Sequence, residues 1–213
     1  MKVDKKDMLL YAVTDRTWLN GNSLSEQVEQ TIKAGATFIQ LREKDLCLDE
    51  FVDIAKKIKM ITDKYKIPFV VNDNVDVAVE VDADGVHVGQ SDEKLLNARA
   101  KLGNGKIIGL SAHNVEEAVK AEQSGADYIG VGAVFNTSSK LDVEIISSEM
   151  IKNICEAVSI PVVAIGGIHK ENILKLSGSG VDGVAVISAI FAQPDIEKAT
   201  SELLELSKQM VRK

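Results

Sequence analysis

Arg42 and Lys44 stand two positions apart at the end of the apolar run Phe38, Ile39 and Leu41, with Gln40 inside the run and Glu43 between the cations. Positive charge at the end of a buried strand suits an anion, because guanidinium and ammonium groups give charge-assisted hydrogen bonds to phosphate oxygens. The same abrupt change recurs along the chain. Asn72 and Asp73 close PFVVND, Asp92 closes GVHVGQSD, and Ser111 follows KIIGL. Thr137, Ser138, Ser139 and Lys140 follow DYIGVGAVFN, Gly166 and Gly167 follow PVVAI, and Ile187 and Ser188 follow DGVAV.

Each feature alone has a plainer reading. Arg-Glu-Lys is a common solvated strand end, Asn-Asp a common turn, and two aspartates can be unrelated helix caps. His87 and His113 read as hydrogen-bonded structural residues. Taken together, the sorting favours a polyanion site. Arg42, Lys44 and Lys140 supply positive charge, whereas Asp73 and Asp92 would repel an anion unless a cation stood between, which suggests Mg²⁺. Gly167, with the Ile187 and Ser188 backbone, offers N–H groups for a second phosphate.

These residues need a scaffold that brings strand ends to one place. Eight short apolar runs, at 8–13, 37–41, 68–71, 84–88, 106–110, 127–131, 161–165 and 182–186, alternate with amphipathic stretches. Leu24, Val28 and Ile32 share a helical face, as do Phe51, Ile54, Ala55 and Ile58. Ser23 with Glu26, and Asn114 with Glu117, have the spacing of capping boxes. AGATFIQL, VDADGVHV, SGADYIGV and SGVDGVAV form a weak internal repeat, with Gly35, Gly125 and Gly180 placed where a helix end takes positive φ. Strands apolar at nearly every position are covered on both faces, so the expected fold is α/β, a single (β/α)₈ TIM barrel over residues 1–213. A doubly wound open sheet fits the same periodicity.

Composition narrows the function classes. A net charge of −7 opposes sequence-independent binding of nucleic acid, which needs excess Lys and Arg. The apolar run from Met8 to Val13 is too short for a membrane span or a signal segment, so a cytoplasmic protein without membrane partners is expected. Cys47 and Cys155 lie far apart and suggest packing rather than a disulfide framework or zinc site. No sequence feature sets an oligomeric state.

The motifs YAVTDR (11–16), QLREK (40–44), Asn72-Asp73, DGVHVGQSD (84–92), GLSAHN (109–114), the loop ending at Lys140, AIGGI (164–168) and DGVAVISAI (182–190) resemble those of the thiamine-phosphate synthase family. The resemblance implies a (β/α)₈ barrel that joins a hydroxymethylpyrimidine diphosphate to a thiazole phosphate and releases pyrophosphate. It implies that Gln40, Leu41, Arg42, Glu43, Lys44, Asn72, Ser111 and Lys140 meet the pyrimidine diphosphate. Arg42, Lys44, Ser111 and Lys140 would act catalytically. Asp73 and Asp92 would hold Mg²⁺, while Thr137, Ser138, Ser139, Gly167, Ile187 and Ser188 would meet the thiazole phosphate. Asn136 and Ser139 depart from the family's Pro and Thr, which implies a looser loop. The implied chemistry demands no general base on the protein, and neither His87 nor His113 has a partner legible in the sequence. A thiazole tautomerase or a non-catalytic phosphate sensor on the same barrel would not need the diphosphate set.

Overall fold

A computed structural model describes residues 3–89, 92–136 and 144–212. Its strands are β1 (Leu10–Val13), β2 (Phe38–Leu41), β3 (Phe69–Asn72), β4 (Gly85–Val88), β5 (Ile107–Ala112), β6 (Tyr128–Val131), β7 (Val162–Ile165) and β8 (Gly183–Val186). Around them run α1 (Leu24–Lys33), α2 (Leu48–Tyr65), α3 (Val75–Glu80), α4 (Asp92–Leu102), α5 (Val115–Gln123), α6 (Ser148–Ala157), α7 (Ser188–Phe191) and α8 (Ile196–Val211). A 3₁₀ turn, Ile173–Leu176, occupies the β7–β8 crossover.

The strands form one closed parallel barrel in chain order. Closure lies in the β1–β8 register, where Tyr11 faces Ala185, and it removes the open-sheet alternative. Side chains alternate across the wall, as the strand period requires. Leu10, Ile39, Phe69, Val86, Ile108 and Ile129 point outward and pack under the helices. Tyr11, Phe38, Val70, Ile107, Tyr128 and Val163 point inward and fill the lower barrel.

The internal repeat has a physical cause at the N-terminal pole. Thr37 Oγ1 accepts from Leu10 N, and Asp84, Asp127 and Asp182 carboxylates accept from Phe69, Ile108 and Val162 N, each at 2.9 Å. The residue preceding each even strand thus satisfies a backbone donor at the start of the odd strand before it. Every strand begins later than the apolar pattern suggests, by two residues for β1 and by one for the others. Gly35, Gly125 and Gly180 take φ of +109°, +92° and +90°, and Asp82 fills the corresponding place in the remaining repeat at +52°.

Helix starts follow the expected capping. Ser23 and Glu26 exchange both capping-box hydrogen bonds. Asn114 caps α5 by accepting from Glu117 N at 2.9 Å, but Glu117 reaches back to His113 N instead of the cap residue.

Candidate active site

All strands run the same way, so the residues that end them meet at one pole. There a cavity of about 1100 Å³, counting its open mouth, is lined by Gln40, Arg42, Asn72, Ser111, Gly167, Ile187 and Ser188. Inward phase explains this membership. Gln40 and Arg42 continue the inward side of β2 after Phe38, and Asn72 continues β3 after Val70. Ser111 lies two inward positions beyond Ile107 on β5.

Of the other expected site residues, those whose side chains the structure describes do not line this cavity. Leu41 is wholly buried on the outward face beneath the helices. Glu43 turns away from the cavity, with its side chain only 4% exposed, and accepts from Arg16 Nε at 2.8 Å. Burial pushes its carboxyl above the ordinary carboxylate range, and Arg16 offsets this only in part. Lys44 is exposed and does not line the cavity. Asp73 is exposed at the rim in the left-handed region, φ +57°, with its N–H donating to the His87 carbonyl at 2.9 Å. Its carboxylate accepts from Asn72 Nδ2 at 2.9 Å. Asp92 opens α4, directly after the neighbouring strand β4. Thr137, Ser138, Ser139 and Lys140 lie outside the described residues, as does the side chain of Asp92.

Arg42 is held from below. Its backbone N–H donates to Thr14 Oγ1 at 3.1 Å, and the Thr14 N–H donates to the Gln40 carbonyl at 2.9 Å. Its guanidinium faces Asp15. The opposite wall is built from backbone. Gly166 and Gly167 take φ of +101° and +65° after β7. Asn172 Nδ2 donates to the Gly167 carbonyl at 2.8 Å, which fixes the turn. A Cβ on Gly167 would stand 2.2 Å from the Asn136 carbonyl oxygen, so only glycine lets the two loops meet.

Three inward side chains join the site that charge and loop composition did not single out. Tyr11, Tyr128 and His87 form hydrogen bonds that run from Gln40 to Ser111 across the barrel floor. Strand phase carries the missing signal: once Asn72 and Ser111 point inward, so does His87, register partner of Asn72. Both histidines that line the cavity have partners, since His113 Nδ1 lies 3.0 Å from Glu117 Oε2. Cys155 is half-buried, and its thiol is pushed up to about 12, chiefly by desolvation. Cys47 departs from the packing expectation, being exposed at the start of α2.

Among the described residues no group of three or more His, Cys, Asp or Glu side chains gathers as a metal centre. The oxygen donor of Asp73 nevertheless suits Mg²⁺, which takes one or two carboxylates together with ligand oxygens.

Similarity to known proteins agrees with this geometry. The family model for thiamine monophosphate synthase matches residues 10–190. A thiamine-phosphate synthase of Clostridium tetani is 50% identical over 197 residues, covering 92% of this chain and 94% of that protein. One from Clostridium acetobutylicum is 48% identical over 203 residues, covering 95% and 96%. The solved thiamine phosphate pyrophosphorylase of Pyrococcus furiosus superposes with a TM-score of 0.89 at 41% identity, covering 97% of this chain and 98% of that one.

Proposed function

The chain belongs to the thiamine monophosphate synthase family, a family of transferases in thiamine biosynthesis, and on that premise we propose that its cavity joins a pyrimidine diphosphate to a thiazole phosphate with release of pyrophosphate. The observation that carries this reading is convergence. Gln40, Arg42, Asn72 and Ser111 on one wall and Gly167, Ile187 and Ser188 on the other line the same cavity.

Arg42 and Asn72 bind the diphosphate of 4-amino-2-methyl-5-(diphosphooxymethyl)pyrimidine, and Lys44 and Lys140 add positive charge for it. The bond between the methylene carbon and the diphosphate oxygen breaks, and its electron pair leaves with the diphosphate. Negative charge therefore grows next to Arg42, whose charge is fixed in place before the step. The thiazole nitrogen then gives its lone pair to the electron-poor methylene carbon and closes the new C–N bond. A carboxylated thiazole would also lose CO₂.

The thiazole phosphate is held by the Gly167, Ile187 and Ser188 wall and by Thr137, Ser138 and Ser139. Two ligands fixed on facing walls make the attack effectively unimolecular, which lowers its entropic barrier. Asp73 and Asp92 would hold Mg²⁺, which supplies neutralising charge to the departing diphosphate. No protein base is required, in keeping with a rim whose histidines are already engaged with Glu117 and with Tyr128 and Ser111. The reaction belongs in the cytoplasm, and no helix among the described residues is long and apolar enough to cross a membrane.

Incubation with both substrates, following pyrophosphate release with and without Mg²⁺, tests the proposal. Release that needs the metal and both partners is expected. A tautomerase or a phosphate sensor on this barrel would release none at saturating substrate, and that outcome would remove the synthase reading.

A further inference from the structure

Five side chains from five strands form one continuous line across the barrel. Gln40 Nε2 donates to Tyr11 Oη, Tyr11 and Tyr128 hydroxyls are 2.8 Å apart, Tyr128 Oη lies 2.9 Å from His87 Nδ1, and His87 Nε2 lies 3.2 Å from Ser111 Oγ. Direction follows from the first member. An amide nitrogen only donates, so the Tyr11 oxygen accepts from Gln40 and its own hydrogen goes to Tyr128. The Tyr128 hydrogen then goes to His87 Nδ1. That leaves the neutral imidazole proton on Nε2, aimed at Ser111. Turning the Gln40 amide over would reverse both phenol bonds and put a proton on His87 Nδ1, so the protonation of the imidazole reports which way the amide faces.

We propose that Tyr11, Tyr128 and His87 are positioning residues: a directional relay that holds the Gln40 amide with its carbonyl oxygen as the acceptor for a ring-borne amine of the pyrimidine. This role rests on the pyrimidine-diphosphate reading above. It makes the relay a determinant of specificity, because a pyrimidine with an oxo group in place of the amine offers that carbonyl an acceptor instead of a donor.

The barrel wall is shaped to let the relay form. His87 on β4 and Tyr128 on β6 are separated by β5 and meet above Gly109, register partner of both. A Cβ on Gly109 would stand 2.1 Å from Tyr128 Cζ, and one on Gly130 would stand 3.3 Å from His87 Cε1. The Phe38 ring, centred 4.5 Å from that of Tyr11 and 5.6 Å from that of Tyr128, fixes both phenols from β2. Burial pushes both phenols above their ordinary range, so they stay protonated and able to donate.

Two measurements test the relay. The first is the ¹⁵N shift pattern of the His87 imidazole in the labelled full-length protein, assigned with His87→Asn. A neutral Nε2–H tautomer is expected, and an Nδ1–H or charged ring overturns the proposal. The second is the ratio of kcat/KM for the 4-amino pyrimidine diphosphate to that for its 4-oxo analogue. Wild type should favour the amine, and Tyr128→Phe, which cuts the line at its centre, should reduce the ratio at least about tenfold while leaving KM for the thiazole phosphate unchanged. A merely structural loss would lower both rates together, and an unchanged ratio in the variant overturns the proposal. Should Tyr128→Phe fail to fold, Tyr11→Phe cuts the line one step earlier and is read in the same way. If wild type turns over neither pyrimidine, the synthase reading falls, and the His87 tautomer still decides the relay's direction.

Discussion

Asp15 Oδ2 stands 3.6 Å from Arg42 Nη1 at the cavity mouth, while the adjacent residues Arg16 and Glu43 are hydrogen-bonded at 2.8 Å. These crosswise pairs tie the segment after β1 to the segment after β2, which is why YAVTDR and QLREK belong together. The 3.6 Å separation exceeds hydrogen-bond length, so Asp15 orients the guanidinium by charge and leaves its N–H fork for a ligand. Arg42→Ala is therefore expected to lower kcat/KM by at least about tenfold, or roughly 1.4 kcal/mol of transition-state stabilisation. Arg42→Lys should recover only part, because an ammonium keeps the charge and loses the fork. Steady-state pyrophosphate release reads both variants, and wild-type rates in Arg42→Ala would refute the role.

Glu43 should leave a mark on stability rather than on rate. Its carboxyl is raised by burial, and Arg16 compensates only partly. A folded-state pKa above the unfolded one means that the native state keeps this proton longer. The Glu43 contribution to stability therefore declines as pH rises from roughly 4.3, the unfolded value, through the higher folded value. Glu43→Gln removes the titration, and its amide oxygen can still accept from Arg16. The variant should be at least as stable as wild type at neutral pH, with the difference shrinking toward about pH 4. Urea midpoints across that range decide the point, and a variant clearly weaker at pH 7 would count against it.

The barrel was legible because eight apolar runs alternate with helical patterns, and strand ends could be read for charge without knowing the closure. Arg42, Asn72 and Ser111 stood out because polar groups following apolar runs are conspicuous. Tyr128 did not, because a tyrosine inside DYIGV looks like core, and its polar role depends on Gly109 and Gly130 leaving room across β5. Sequence also placed Leu41 and Glu43 with the site through QLREK, where strand alternation turns their side chains outward. Local composition shows what a segment offers, whereas the face on which it is offered depends on phase.

The repeated aspartates at the opposite pole should matter to folding and not to chemistry. Asp127 accepts from Ile108 N and also pairs with Arg99 at 2.8 Å. Asp127→Ala leaves a strand N–H without its acceptor, at a cost of about 1–3 kcal/mol. Asp127→Asn keeps an oxygen for that N–H and should cost less. Denaturant unfolding separates the two variants, with kcat/KM of the folded fraction expected to stay at the wild-type level. Equal losses in both would mean that charge on Asp127, rather than its hydrogen bond to β5, carries the stability.

Gly167 offers a test in which backbone strain and site geometry can be told apart. Its φ of +65° is costly for any residue with a Cβ, and that Cβ would also meet the Asn136 carbonyl oxygen at 2.2 Å. Gly103 has a similar φ of +79° but open space around a Cβ. Gly103→Ala should therefore lower stability by about 1–2 kcal/mol with no change in either KM. Gly167→Ala pays the same conformational cost and must also push the β6 and β7 loops apart. If the thiazole phosphate lies against this turn, its KM should rise at least about tenfold while KM for the pyrimidine diphosphate, bound to the facing wall, stays within about twofold. A parallel rise in both constants would place the two ligands on one wall and contradict the two-sided cavity.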